Sequence, residues 1–299
     1  MKFSKFLLLF CFTVASAPSL LIGQSSLIAD GAELKLVSDQ FSFTEGPTTD
    51  KKGNIYFTDQ PNDKIWIYTT DGKLKVFSEK TGRSNGMYFT KKGKLIACAD
   101  EKNQILEFNK KGNFKVLADG FNGKLFNGPN DVWVDDKGGM YFTDPYYKRD
   151  YWTRGPEEQE KKRLYYLDKK GKVSIASESF VAPNGLIGTK DYKKLYVADI
   201  GDRKTYVFDI QKDGTLTNQQ LFVSMGSDGM TLDELGNVYL CGNGVTIYSP
   251  AGEKLGNIKV PQGWTANVTF GGKEGKTLFI TALKGVYTMA MKVRGVKYE

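Results

Sequence analysis

A pattern of roughly forty residues recurs six times along this chain. Each copy begins with a polar residue, followed in most copies by glycine, and continues as an apolar stretch, a glycine turn and a second apolar stretch. Successive copies begin 40, 45, 54, 44 and 39 residues apart, which is the spacing of four-stranded propeller blades. The leading residues, called the ring residues below, are Glu45, Asn85, Asn130, Asn184, Asp228 and Asn267.

Third and fourth strands follow in most copies, but the sixth copy ends after its third strand, at 285–291. Residues 33–38 precede the first copy and can supply the missing outer strand. The chain has 33 glycines against 9 prolines, which suits many short strands better than a helical bundle. We therefore predict an all-β fold, a six-bladed β-propeller formed by one domain over 25–299 and closed by an N-terminal strand in the last blade.

The N-terminus has the features of a secretory signal. Lys2 and Lys5 precede an apolar run at 6–15 and then small residues, and the run is too short to span a bilayer comfortably. Cleavage after Ala17 and cleavage near 23–25 are both plausible, and a buried N-terminal strand is the alternative. We expect a signal peptide over 1–24 and a mature chain that is periplasmic or secreted, with no membrane span.

The positive charge is dispersed. Removal of the signal takes the formal charge from +8 to +6, and Lys-Lys-Gly recurs at four turns without interleaved aromatic residues. This pattern argues against a nucleic-acid surface. Cys98 and Cys241 lie in different strand segments, so two buried free thiols are expected, although a disulfide is possible.

The chain contains no histidine, which excludes Ser-His-Asp and Cys-His catalysis and the histidine-containing zinc sites. In a propeller the first strand of each blade is innermost, so the ring residues surround the axis. Asn or Asp before Gly often only caps a turn, but Glu45 does not fit that explanation. Two carboxylates facing inward among amides indicate a divalent cation held by oxygen. Ca²⁺ suits such irregular ligands best, with Mg²⁺, Mn²⁺ or Zn²⁺ as alternatives.

Two further features have different interpretations. An Asp closes the second strand at Asp59, Asp100, Asp144 and Asp199, and its recurrence favours structural hydrogen bonding. The longest copy carries its excess at 145–162, called the insert below, directly after its second strand. The hairpin connection places the insert over the ring, where its tyrosines and arginines suit a polyhydroxylated or anionic ligand. The alternative is a surface loop without a functional role.

Several motifs resemble the gluconolactonase/SMP-30/luciferin-regenerating-enzyme family, most closely its bacterial gluconolactonase branch. The resemblance implies a six-bladed propeller, one central divalent cation that is often Ca²⁺, hydrolysis of sugar lactones, and metal ligation by Glu45, Asn130, Asn184 and Asp228. Gly128 stands where animal members have arginine, and Asp100 ends a Cys-Ala-Asp where bacterial relatives often have Cys-Glu-His. The motifs are Glu45-Gly46-Pro47, Pro129-Asn130-Asp131-Val132, Phe142-Thr143-Asp144-Pro145, Ala182-Pro183-Asn184-Gly185, Ser227-Asp228-Gly229-Met230 and Thr269-Phe270-Gly271-Gly272.

The resulting hypothesis is a metal-dependent carboxylic ester hydrolase that opens a small-molecule lactone. Asp228 is the expected general base, as the resemblance implies. Asn85 and Asn267 are expected to contact substrate hydroxyls, with Tyr146 and Arg149 reaching the substrate from the insert. The alternatives are a promiscuous esterase or phosphotriesterase on the same metal, and a non-catalytic propeller that binds a sugar or a protein. A monomer and a homodimer are both compatible with the sequence.

Overall fold

The computed structural model describes residues 27–296. The expected signal peptide over 1–24 lies outside this range and stays a prediction. Six four-stranded antiparallel sheets follow one another along the chain, and a two-stranded hairpin precedes the third blade. The all-β, six-bladed propeller is confirmed. No helix within 27–296 has the length and apolar character needed to cross a membrane.

Each of the first five blades is a meander of consecutive strands, numbered from the axis outwards. The strands are β2 (Thr44–Thr49), β3 (Ile55–Asp59), β4 (Lys64–Tyr68) and β5 (Leu74–Glu79) in blade one; β6 (Ser84–Phe89), β7 (Leu95–Ala99), β8 (Gln104–Phe108) and β9 (Phe114–Ala118) in blade two; β12 (Val132–Val134), β13 (Met140–Asp144), β14 (Arg163–Leu167) and β15 (Val173–Ser177) in blade three; β16 (Pro183–Gly188), β17 (Lys194–Asp199), β18 (Lys204–Ile210) and β19 (Leu216–Val223) in blade four; and β20 (Met230–Leu232), β21 (Val238–Gly242), β22 (Gly244–Tyr248) and β23 (Lys254–Ile258) in blade five. The hairpin is β10 (Gly120–Phe121) with β11 (Lys124–Leu125), and a 3-10 turn spans Gln60–Asn62.

The sixth blade joins the two ends of the domain. Its strands are β1 (Lys35–Ser38), β24 (Asn267–Gly271), β25 (Thr277–Ala282) and β26 (Gly285–Ala290). The sheet order is β1-β26-β25-β24, so the N-terminal strand is the outermost strand of the last blade, as predicted. Lys35 lies opposite Thr288 in this closure. The closing strand is two residues shorter than the predicted 33–38.

Burial decreases from the axis outwards, which explains the composition of the strands. The second strand of blade two, β7, is buried along its whole length, whereas the outermost strand, β9, is mostly exposed. Aromatic side chains fill the space between blades; for example, the ring centroids of Tyr56 and Phe89 lie 4.9 Å apart at an interplanar angle of 78°. Such edge-to-face packing stabilises neighbouring sheets at the angle that ring closure needs.

The recurrent second-strand Asp has the structural role predicted for it in three blades. Asp144 accepts hydrogen bonds from the backbone N–H groups of Asn127 and Gly128, at 2.9 and 2.8 Å. Asp59 and Asp199 each accept a similar pair from the segment that enters their own blade. These bonds fix the chain just before the ring residue. Each carboxylate therefore helps to position the central site without belonging to it.

Both cysteines of the described range, Cys98 and Cys241, are buried free thiols. Each lies on the second strand of its blade, β7 and β21 respectively. Burial raises the pKa of both thiols well above the ordinary value. They therefore behave as small apolar core residues rather than as nucleophiles.

Candidate functional site

The ring residues converge at one end of the propeller axis, as the repeat predicts. Five of them are buried and Asp228 is partly exposed. Two hydrogen bonds join them across blades. The Asn184 Nδ2 atom donates to Asp228 Oδ1 at 2.9 Å, and Asn267 Nδ2 donates to Glu45 Oε2 at 3.3 Å. The second bond links the last blade to the first, so ring closure is completed at the axis as well as at the outer strand.

Close approach of neighbouring blades explains why glycine follows most ring residues. A Cβ built on Gly229 would lie 1.9 Å from Cγ of Asn267, and one on Gly185 would lie 2.5 Å from the carbonyl oxygen of Asp228. No side chain fits at such distances. The Asn-Gly and Asp-Gly pairs therefore do not mark turns here. They mark the positions at which successive blades meet around the axis.

Asp228 accepts a hydrogen bond on each carboxylate oxygen. Trp264 Nε1 donates to Oδ2 at 2.5 Å, and Asn184 Nδ2 donates to Oδ1 at 2.9 Å. Burial raises the pKa of Asp228 to about 6, while these two donors and the charge of Arg149 oppose the rise. The carboxylate is therefore predominantly ionised at neutral pH, with a pKa suited to accepting a proton.

Glu45 is held in a similar way but is more deeply enclosed. Its Oε2 accepts from the backbone N–H of Gly46 at 2.9 Å and from Asn267 at 3.3 Å. Burial raises the pKa of Glu45 well above the ordinary value, and the charge of Asp228 raises it further. The effect of the Asp228 charge on Glu45 indicates that the two carboxylates lie near each other.

A third carboxylate, that of Asp131, lies at the axis and was not predicted from the sequence. The residue is buried, and its Oδ1 accepts from the backbone N–H of Val132 at 2.9 Å. Burial raises the pKa of Asp131 to about 7, and the charge of Asp228 adds to the rise. Because Asp131 stands where glycine follows four of the other five ring residues, the repeat alignment contained a signal for it.

The insert reaches the ring through Tyr147. Asn184 Nδ2 donates to the Tyr147 hydroxyl oxygen at 3.1 Å, so the hydroxyl proton is available to another acceptor. Because the Asp228 carboxylate can only accept, the nitrogen of the Asn184 amide must face it, which leaves the amide oxygen for a cation. The expected position of the insert over the ring is confirmed by this contact, with Tyr147 rather than Tyr146 bonded to a ring residue.

The other insert residues hold the loop in place. Arg149 Nε lies 3.2 Å from Asp100 Oδ2, and the Tyr151 hydroxyl donates to Asp100 Oδ1 at 2.7 Å. Asp100 therefore anchors the insert, unlike the second-strand Asp residues of its neighbours. The guanidinium of Arg149 is also close enough to lower the pKa of Asp228. A role for Arg149 at the substrate is compatible with this position and stays a prediction.

An aromatic and cationic stack lies beside this anchor. Arg154 lies over the Trp152 ring, 3.7 Å from its centroid, and the ring centroids of Tyr146 and Trp152 are 5.5 Å apart. A Cβ on Gly128 would lie 3.3 Å from Trp152. The two positions that depart from the family pattern, Gly128 and Asp100, are thus both in contact with the insert. Substrate contact by Tyr146 stays a prediction.

The two remaining ring amides differ in their surroundings. Both polar atoms of the Asn267 side chain are hydrogen-bonded within the protein. Its Oδ1 accepts from Val268 N at 2.8 Å, and its Nδ2 donates to Glu45. This arrangement favours support of Glu45 over contact with a substrate. Asn85 is buried beside Gly46, and its carbonyl oxygen accepts from the Thr58 hydroxyl at 3.2 Å. The expected substrate contact of Asn85 stays a prediction.

The oxygen ligands available at the axis suit a hard divalent cation. The carboxylates of Glu45 and Asp228 and the side-chain amides of Asn130 and Asn184 can each offer an oxygen ligand. The charge of Asp228 raises the pKa of the buried Glu45, and a divalent cation between the two carboxylates would stabilise their ionised forms. Within 27–296 no group of three or more His, Cys, Asp or Glu side chains is placed to hold a metal ion, and two of the four proposed ligands are amides, which such a group does not include.

A cavity of about 980 Å³ opens at the opposite end of the axis, where the innermost strands end. Apolar residues such as Met87 and Leu186 line it, and Asp131 and Asn267 form part of its inner wall. The axial residues therefore separate this cavity from the end covered by the insert.

Comparison with known proteins agrees with this geometry. The sequence model of the SMP-30/gluconolactonase/LRE-like region matches residues 43–284, which include blades one to five and the two inner strands of blade six. The chain belongs to this family. A gluconolactonase from Zymomonas mobilis subsp. mobilis is 27% identical to it over 296 residues, spanning 88% of this chain and 82% of the relative. A pentonolactonase from Haloferax volcanii is 25% identical over 244 residues, spanning 75% and 79% of the two chains.

Among solved structures, a gluconolactonase from Xanthomonas campestris is similar to this family member with a TM-score of 0.83 and 25% identity. The match covers 91% of this chain and 93% of the other. The predicted family resemblance is therefore confirmed over nearly the whole described range.

Two residues at the site carried no usable signal in the sequence. Trp264 lies 36 residues from Asp228 in a loop that the repeat does not include. Tyr147 could be placed in the insert, but its contact with Asn184 depends on the conformation of a loop without regular structure.

Proposed function

We propose that this chain hydrolyses the internal ester of sugar lactones with a divalent cation bound at the ring. The oxygen ligands of the ring favour Ca²⁺ as that cation. The observation that supports this most directly is the pairing of Asn184 with Asp228 in a ring that also holds Glu45. Relatives named as lactonases over most of the chain support the substrate class.

Glu45, Asn130, Asn184 and Asp228 are the residues that would hold the cation. When bound, it would polarise the lactone carbonyl and stabilise the negative charge that develops on its oxygen. An oxygen-only ligand set fits a cation that serves as a Lewis acid without redox chemistry.

Asp228 is the proposed general base. It removes a proton from the water that attacks the lactone carbonyl, and a C–O bond forms. The ring C–O bond then breaks as the ring oxygen takes up the proton that Asp228 accepted. The product is a hydroxy acid, which loses its proton at neutral pH. Without the cation the pKa of Asp228 is about 6, and a bound cation would lower this pKa and keep the carboxylate ionised.

The insert supplies the remaining contacts in this proposal. The Tyr147 hydroxyl, already bonded to Asn184, has its proton free for a substrate oxygen. Arg149 places a positive charge near Asp228 and the developing carboxylate product. Asn85 offers an amide to a substrate hydroxyl, and the insert excludes bulk water from the ring.

Proton release from D-glucono-δ-lactone tests the activity. The purified chain should release acid faster than spontaneous hydrolysis, and Asp228→Asn should not. A panel of γ- and δ-lactones, a simple aryl ester and a phosphotriester separates lactonase from esterase activity. A rate no higher than the spontaneous one on every lactone would rule out the proposal. Ester turnover without lactone turnover would favour the promiscuous hydrolase instead.

A further inference from the structure

Trp264 is the aromatic residue bonded to the proposed base. It lies in the loop between β23 and β24, and its indole Nε1 is 2.5 Å from Asp228 Oδ2. The following residues are fixed by backbone bonds on both sides, from Thr265 N to Gly242 O and from Ala266 N to Thr281 O, each at 2.9 Å. The indole is therefore held by a loop that is anchored to blades five and six.

The two donors to Asp228 approach different oxygens. Trp264 occupies one lone pair of Oδ2 and Asn184 occupies one lone pair of Oδ1. An ionised carboxylate has about four lone-pair sites, so each oxygen retains one. The terminal torsion of aspartate is broad, and a single donor would leave the carboxylate plane free to rotate. Two donors from different blades fix that plane.

We infer that Trp264 is a positioning residue for Asp228, and that it assigns the two carboxylate oxygens different tasks. The oxygen that accepts from Asn184, itself a ring residue, is the one available to the cation. The oxygen bonded to Trp264 is the one that accepts the proton from water. The second part of this inference rests on the proposed function, whereas the orientation of Asp228 does not.

A purely packing role for the indole makes a different prediction. Trp264 is partly buried, and the residues near its ring include Gly242, where a Cβ would lie 3.8 Å away. Phenylalanine would keep most of this packing and lose only the N–H donor. Trp264→Phe therefore separates the hydrogen bond from the ring that carries it.

The test uses the full chain with Trp264→Phe, and Trp66→Phe as the matched control. Trp66 lies in β4, away from the ring residues, and its indole packs against Phe41. Terbium(III) is the probe, because it binds oxygen ligands and its directly excited emission reports occupancy in both variants. We expect the terbium Kd of Trp264→Phe to rise roughly tenfold or more, the usual effect of removing a residue that orients a metal ligand. Trp66→Phe should match the wild type.

Kinetics on D-glucono-δ-lactone provide the second measurement, at saturating metal. We expect kcat of Trp264→Phe to fall roughly 10- to 100-fold with little change in KM. A rise in KM alone would make Trp264 a substrate contact and overturn the inference. Unchanged terbium affinity together with unchanged kcat would overturn it as well.

An NMR measurement on the wild-type chain covers the case in which Trp264→Phe does not fold. The chain has 4 tryptophans, and the indole N–H of Trp264 should be shifted downfield by its short bond to a carboxylate. Asp228→Asn should move this resonance and leave the other indole resonances in place; no such movement contradicts the assigned bond. If the wild type hydrolyses no lactone but the resonance moves and terbium affinity depends on Trp264, the proposed function fails while the positioning role stands.

Discussion

The Asn184 amide nitrogen and the Asp228 Oδ1 atom lie 2.9 Å apart although 44 residues separate them in the chain. The bond joins the starts of blades four and five. It orients the Asn184 oxygen away from the carboxylate, and it holds Asp228 in the ring. This hydrogen bond between neighbouring blades therefore orients a proposed metal ligand, Asn184, and the proposed base, Asp228, relative to each other.

Asp228→Asn should lower kcat by at least about 100-fold, because an amide cannot accept the proton and general bases contribute roughly 10²- to 10⁴-fold. The fold should persist, since the amide oxygen can still accept from Trp264. Asp136→Asn makes the same chemical change at an exposed position and should have no effect. More than half of the wild-type rate in Asp228→Asn would exclude this residue as the base.

Tyr147→Phe should raise KM about 2- to 10-fold, since one hydrogen bond is worth roughly 0.5–1.5 kcal/mol. The variant loses the hydroxyl that accepts from Asn184 and that is free to donate to a substrate. Tyr146→Phe is the comparison, because the Tyr146 ring packs on Trp152. Steady-state kinetics should show the larger effect at Tyr147; the reverse order would place the substrate nearer Tyr146, as the sequence suggested.

Without a cation, the free energy of unfolding should fall as pH rises from about 4 to about 7. The folded-state pKa of Asp228 is raised to about 6 and that of Asp131 to about 7. Aspartate in the unfolded chain has a pKa of about 3.9, so the folded chain binds more protons across this window. Chelated protein should therefore melt at a higher temperature at about pH 5 than at about pH 7.5.

Asp131→Asn supplies the control for this pH effect. The variant removes one axial charge and keeps an oxygen that can accept from Val132 N. It should flatten the dependence of the melting temperature on pH in the presence of chelator. A melting temperature of the chelated wild type that rises with pH across the same window would contradict the raised pKa values.

Gly229→Ala should destabilise the protein by about 1–3 kcal/mol, the usual cost of forcing extra atoms into a packed region. The added Cβ would lie 1.9 Å from Asn267 Cγ, and Asn267 in turn holds Glu45. Gly155→Ala places a Cβ where no atom lies within 4 Å and should be neutral. Chemical denaturation measures both variants. Equal stability of the two would show that the blades do not meet at Gly229 as described.

The blade repeat made the fold predictable. Equivalent residues every forty or so positions fix the blade count, and the missing sixth outer strand identified β1 as the closing strand. Convergence of the ring residues follows from the same register, because a propeller places equivalent positions around one axis. The lack of histidine restricted the chemistry of that ring to oxygen ligands.

Contacts made by irregular loops could not be predicted in this way. Trp264 reaches Asp228 from a connection between blades, and Asp100 binds Arg149 and Tyr151 of the insert instead of its own blade entrance. No periodicity specifies such contacts, since they depend on loop conformation. Asp131 was not predicted for another reason. It directly follows the ring residue Asn130, so the repeat register does not distinguish it from the rest of the motif, although it adds a third carboxylate at the axis.

Removal and return of the metal tests the central claim most directly. The rate of D-glucono-δ-lactone hydrolysis should be measured for the chain as purified, after exhaustive chelation, and during titration with Ca²⁺. We predict that chelation reduces hydrolysis to the spontaneous rate and that Ca²⁺ restores it with one ion bound per chain. A fully active, metal-free preparation would contradict the account.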